Sequence, residues 1–239
     1  MKKMTKRKKQ QIRRTAVLVI AAGIITAAVL GVILSVTGYI YNRYFAKNPV
    51  IAYDKICVDR PEITEDFLTV NENSRPGIKL EKVNGIVIHY TANPGTGDKA
   101  NRDYFESRKD QENTAVNKVS SHFVVGLDGE IIQCIPLNEI AYASNDRNSD
   151  TISIECCHPD ATGKFNQETK DTLVHLTAWL IGRYGLKTDD VIRHYDVTGK
   201  KCPLYYVEHE DEWKKFKEEV DAYIEKNGVL PSESEKNSQ

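Results

Sequence analysis

The chain has 239 residues, 40% of them apolar, with 33 Lys and Arg against 34 Asp and Glu and a formal charge of −1. The balance is uneven: the opening MKKMTKRKKQQIRR holds eight basic residues and no acid, which leaves 25 basic against 34 acidic residues, a net of −9, for everything after it. So acidic a remainder argues against nucleic acid as a partner, because a polyanion is bound by basic surface.

Behind the basic tail of residues 1–14, TAVLVIAAGIITAAVLGVILSVTGYI runs from Thr15 to Ile40 without a charge. About 20 apolar residues cross a bilayer, whereas a cleaved signal carries an apolar stretch of only about 7–15 and a small-x-small cleavage site. Here Tyr39, Tyr41, Tyr44 and Phe45 follow, as an interfacial aromatic belt would. The expectation is a single transmembrane anchor over 15–40, its N-terminus cytoplasmic by the positive-inside rule and the chain beyond about residue 42 outside. A buried helix of a soluble domain is the alternative, and contact between the tail and anionic head groups is a role that needs no further function.

Residues 41–62 read as a linker and 63–82 as an irregular arm held to the domain by Phe67, Leu68 and Leu80. From 83 to 227 one domain of its own core is expected, and 228–239 is polar and expected to be disordered. In chain order, GIVIHYT (85–91) reads as a buried strand. Lys99 to about Lys109 reads as a short helix, and SHFVVGLDGEIIQCIP as two strands joined by a hairpin turn at Leu127, Asp128 and Gly129. TISIECC (151–157) and VIRHY (191–195) are further strands. Between them Leu173, Leu176, Thr177, Leu180, Ile181 and Tyr184 recur at helical spacing, with Asn166 as N-cap, Glu168 in the first turn and Gly185 as C-cap. Trp213, Phe216, Val220, Tyr223 and Ile224 mark a last helix ending near Gly228. The fold class is α/β, a central mixed β-sheet flanked by helices.

Five cysteines stand at 57, 134, 156, 157 and 202, an odd count that leaves at least one without a disulfide partner. Cys156 and Cys157 point to opposite sides of their strand, and Cys134, inside IIQCIP, reads as a small buried hydrophobe. His89 closes one strand, His194 lies at the end of another, and Cys202 follows after a loop long enough to fold back. Two imidazoles and a thiolate make a zinc ligand set with one open tetrahedral position. Spacing alone leaves this open against ordinary structural histidines. His158, His175 and His209 read as structural or surface residues.

The blocks IVIHYTAN, SSHFVVGLDGEI, TISIECC and RHYDVTGKKCP, in this order over about 83–225, resemble the type 2 N-acetylmuramoyl-L-alanine amidases, which are related to phage amidase endolysins and peptidoglycan recognition proteins. The resemblance implies a sheet flanked by helices and a shallow groove for peptidoglycan. It also implies Zn2+ held by His89, His194 and Cys202, and hydrolysis of the amide between N-acetylmuramoyl and L-alanine. Zinc brings the pKa of a water toward about 7, and the departing amine needs a proton, so a nearby carboxylate is wanted as base and then acid. Glu155, the one acid in TISIECC, fits that role; an ordinary strand glutamate facing solvent is the alternative. Lys200, two before the cysteine as in the family, is the candidate for the developing oxyanion, with Lys201 as its control. Ser121 stands where some relatives place a catalytic tyrosine, so that role is not carried over. His122 could contact substrate or be structural, and Asn148 could bind the muropeptide. The expected protein is a monomeric cell-membrane enzyme facing the wall; the rival is a non-catalytic peptidoglycan-binding receptor, a class that typically lacks the cysteine ligand.

Overall fold

The computed structural model describes residues 56–229, and Arg7 upstream. The expected anchor over 15–40, nearly all of the basic tail, most of the linker and the last ten residues lie outside the described residues. Among the described residues no helix is long and apolar enough to cross a membrane.

Six strands form one sheet: β1 (Thr64–Glu65), β2 (Gly85–Tyr90), β3 (Phe123–Val125), β4 (Ile131–Gln133), β5 (Thr151–Cys156) and β6 (Val191–Arg193), in the order β1-β4-β3-β5-β2-β6. Only the β3/β4 pair is antiparallel, so the sheet is mixed as expected. The hairpin turns where the sequence places it: Gly126 N–H donates to Glu130 O, and Gly129 takes φ 87°. A Cβ at Gly129 would lie 2.9 Å from Thr172 Oγ1, so glycine is required there for space as well as for its dihedral.

The helices are α1 (Asp98–Ser107), α2 (Gln167–Tyr184), the short α3 (His194–Thr198) and α4 (Leu204–Glu208), and α5 (Glu210–Asn227). The ends of α2 obey local rules: Asn166 Oδ1 accepts from Thr169 N–H, and Gly185 is left-handed at φ 63°. Its Leu173, Leu176, Leu180 and Ile181 are fully buried, each contributing about 1.5–3 kcal/mol on removal from water. Helix α2 packs on β3 and on α5.

VIRHY departs from expectation. The strand stops at Arg193 and His194 opens α3, because the Asp196 carboxylate accepts from the Arg193 N–H at 2.8 Å and from its guanidinium at 2.9 Å, turning the chain into a helix. The Arg193 guanidinium also donates to Glu210 and to Tyr206 O, tying this corner to α4 and α5.

Residues 63–82 lie against the sheet unequally. Leu68 and Leu80 are buried, whereas Phe67 is partly exposed beneath the Arg75 guanidinium. Arg75 forms a two-pronged pair with Glu139, and β1 adds a parallel edge to β4. Residues 56–62 are ordered on the domain too: Val58 is buried, and Cys57 pairs through its backbone with Val229 in both directions at 2.9 Å. All five cysteines are free thiols, and Cys134 is buried as expected.

Candidate metal centre and active site

Register brings the site together. In the parallel ladder β5-β2-β6, His89 is the Cα partner of Glu155, and Ile88 is the partner of Arg193, so His194 emerges next to His89. All three side chains therefore sit at or just beyond the carboxyl ends of adjacent parallel strands, where α/β sheets bind ligands. Cys202 arrives by a returning loop: Gly199, left-handed at φ 75°, ends α3, and Tyr195 N–H donates to Cys202 O at 2.9 Å.

The candidate ligand atoms of His89, His194 and Cys202 lie within 4.8 Å of one another, and all three residues are buried. Cys202 Sγ is 3.8 Å from His89 Nδ1, and the two imidazole centroids are 4.7 Å apart. Burial, then the charges of His194 and Lys200, hold His89 well below the usual histidine range. Burial and Lys200 lower His194 likewise. Burial thus favours the neutral form of both rings, the form that offers a lone pair. Burial pushes the Cys202 thiol up to about 12, with the Glu155 charge adding to it against a backbone hydrogen bond at Tyr90 and the pull of Lys200. A coordinated divalent cation reverses that, since it holds sulfur as thiolate.

These residues line a groove of about 570 Å³ together with Glu155 and Lys200. Burial pushes the Glu155 carboxyl up to about 8 against the attraction of Lys200, and its Oε2 is buried with no hydrogen-bond partner. An orphaned carboxylate oxygen beside two neutral imidazoles and a thiol is a donor set that a divalent cation and its bound solvent would satisfy. Lys201 Nζ is paired with Glu208 at 2.9 Å, while Lys200 has no carboxylate partner among the described residues. The two neighbouring lysines thus point to different tasks.

His122 is not among the residues that line the groove. It is 1% exposed, its Nδ1 accepts from Ser153 N–H at 3.0 Å, and its Nε2 donates to Glu139 O at 3.0 Å. Both nitrogens are spent on joining β5 to Glu139, and none is left for a ligand. Asn148 does line the groove, but its Oδ1 accepts from the N–H groups of Ala143 and Ser144 at 3.0 and 2.6 Å. Sequence reasoning missed the groove residues Tyr104, Lys118 and Tyr142, with Lys118 Nζ 5.2 Å from the Tyr142 ring, and also Asn145. The aromatic residues carry no spacing signal; the run SNDRNSD before β5 is at least a recognisable turn cluster.

A sequence model of the N-acetylmuramoyl-L-alanine amidases matches residues 79–204, slightly over half of the chain. The chain is 36% identical over 177 residues to the N-acetylmuramoyl-L-alanine amidase CwlL of Bacillus licheniformis, covering 68% of this chain and 48% of that protein. It is 33% identical over 187 residues to the N-acetylmuramoyl-L-alanine amidase BlyA of Bacillus subtilis (strain 168), covering 70% and 48%. The chain thus spans about half the length of the curated relatives it matches. Among solved structures, the catalytic domain of XlyA superposes with a TM-score of 0.56 at 30% identity, over 67% of this chain and 99% of that domain. With the matched region spanning β2 to β6 and every one of the groove's candidate ligands, the chain belongs to the type 2 N-acetylmuramoyl-L-alanine amidase family.

Proposed function

We propose that this chain is a membrane-anchored, zinc-dependent peptidoglycan amidase that hydrolyses the amide between N-acetylmuramoyl and L-alanine. The observation that carries the reading is the meeting of His89, His194 and Cys202 within 4.8 Å in a groove that also holds the unpartnered Glu155 carboxylate. His89, His194 and Cys202 would hold the zinc ion. When bound, zinc supplies Lewis acidity, which polarises a carbonyl and acidifies water.

The remaining work falls to the protein's own groups. Glu155 takes a proton from the attacking water and returns it to the departing alanine nitrogen; a carboxyl near neutrality can do both. Lys200 places a positive charge beside the oxygen that gains charge as the carbonyl becomes tetrahedral, stabilising the transition state more than the ground state. Tyr104, Lys118 and Tyr142, which line the same groove, would contact the glycopeptide.

The uncharged run Thr15–Ile40 behind a basic tail supports an anchor that leaves the domain on the wall side of the cell membrane. Fractionation and protease protection of intact cells test that placement. The enzymatic reading is tested by measuring zinc in the purified chain and new N-terminal alanine released from cell wall. Glu155→Gln should keep zinc and lose turnover, and Cys202→Ser should lose zinc. A zinc-loaded chain that binds wall but releases no alanine would overturn the enzyme reading and leave a receptor.

A further inference from the structure

An imidazole can ligate through either nitrogen, and what its other nitrogen touches decides which. His194 Nε2 lies 2.8 Å from Asn145 Oδ1. That oxygen only accepts, so the ring carries its proton on Nε2 and keeps its lone pair on Nδ1. His89 is held by the preceding residue of the same turn: its Nε2 is 3.2 Å from Ser144 Oγ, a hydroxyl that orients the ring, and its Nδ1 faces Cys202 Sγ.

The turn is built to hold this arrangement. Asn145 is in the left-handed region at φ 52°, which asparagine tolerates better than other residues with a side chain. Asn148 clamps the two preceding N–H groups with one oxygen, and Arg147 pairs with Asp150 at 2.7 Å. The residue first read as a muropeptide contact thus supports the turn that supports the histidines.

We propose that Asn145 is a positioning residue that keeps His194 as the Nε2–H tautomer and leaves its Nδ1 lone pair free to ligate, while Ser144 beside it orients the His89 ring. The inference rests on the metal reading above and adds the nitrogen that His194 uses and the residue that selects it. Acceptors on the remote nitrogen of a ligating histidine orient the ring and raise its basicity, and losing one costs about 10–100-fold in metal affinity.

Two variants separate this role from a purely structural one. Asn145→Gly deletes the acceptor while keeping a backbone free to adopt the left-handed conformation, and Asn145→Asp keeps an acceptor oxygen. In the metal-free full chain with 15N-labelled histidine, long-range 1H–15N spectra should show His194 as the Nε2–H tautomer in wild type and N145D, and as a mixture or the Nδ1–H tautomer in N145G. Competition against a chromophoric chelator should show zinc bound about 10-fold or more weakly by N145G, with N145D within about threefold of wild type. An unchanged His194 spectrum in N145G, or zinc affinity within twofold of wild type, overturns the inference. A wild-type chain that takes up no zinc overturns the metal reading instead, and the tautomer result alone then decides the positioning role.

Discussion

Lowering the pH from 7 to 5 should cost the fold about 2 kcal/mol through His122 alone. The ring is 1% exposed and faces Ser153 on one side and the Glu139 segment on the other. Burial holds it down at about 4 against an ordinary 6.5, outweighing the hydrogen bond to Glu139 O and the Glu139 carboxylate, which is itself held by Arg75. Protonation would place a second ring N–H against the Ser153 N–H, which already donates to that nitrogen. The folded pKa lies below the unfolded one, so the unfolded chain takes up the extra proton first. This stability is complete above 6.5, falls as pH drops toward 4, and totals about 3 kcal/mol, of which about 2 is lost by pH 5. His89 and His194 are depressed as well, so the measurement is a difference: urea unfolding of wild type and His122→Gln at pH 7, 6 and 5. The variant should be less stable at pH 7 and should lose about 2 kcal/mol less on acidification. A His122 Hε1 resonance titrating near 6.5 in the folded wild type would refute the reasoning even if the variant does not fold.

The Glu106 carboxylate accepts from the Thr69 N–H at 3.0 Å and its hydroxyl at 2.7 Å, and pairs with Lys109. Partial burial opposes its ionisation, but these bonds and Arg102 win and hold it at about 2. Glu106→Gln should cost about 1–2 kcal/mol at pH 7, and denaturant curves of the two proteins should converge as pH falls from 4.5 to 2, where the carboxylate protonates in the fold as well. Leu68→Ala, which empties the arm's anchor among Phe105, Val124 and Ile135, should cost about 2–4 kcal/mol by urea unfolding; a loss under about 1 kcal/mol would mean the arm is not part of the core. Lys200→Ala should lower kcat on cell wall by about 10²–10³ with zinc content unchanged. Lys201→Ala, which loses only a solvent-exposed pair with Glu208, should stay within about twofold of wild type; equal losses in the two variants would remove the distinction between them.

Local patterns that repeat were legible in the sequence. The buried run of β2, the glycine turn between β3 and β4 and both caps of α2 are short-range signals, and the structure keeps them. The His194 corner was not read correctly, because VIRHY has strand composition and the turn is imposed by Asp196, whose carboxylate reaches back to Arg193. His122 was open for the same kind of reason. A histidine next to a strand reads alike whether its nitrogens meet solvent or a neighbouring backbone, and Ser153 and Glu139, which settle the matter, are 31 and 17 residues away. The turn holding Ser144 and Asn145 reads as polar loop, and only the fold brings it against the two imidazoles.

The division of labour in the groove follows from which side chains the sheet can place. His89 and Glu155 are cross-strand partners, so their separation is set by ladder hydrogen bonds, and a one-residue slip of β2 against β5 would send one of them to the opposite face. Their backbone positions need no loop for support. His194, Lys200 and Cys202 lie beyond the sheet, where position must come from side chains and turns: Arg193 with Asp196, the left-handed Gly199, the Tyr195–Cys202 backbone bond, and Asn145 reaching across from the other side. The same substitution effort therefore has different consequences on the two halves. Changes beneath His89 and Glu155 act through the stability of the whole sheet, whereas changes at Asn145 or Gly199 can alter ligand geometry while the sheet stays intact. That separation is why a turn residue, rather than a core residue, is the informative place to probe the centre.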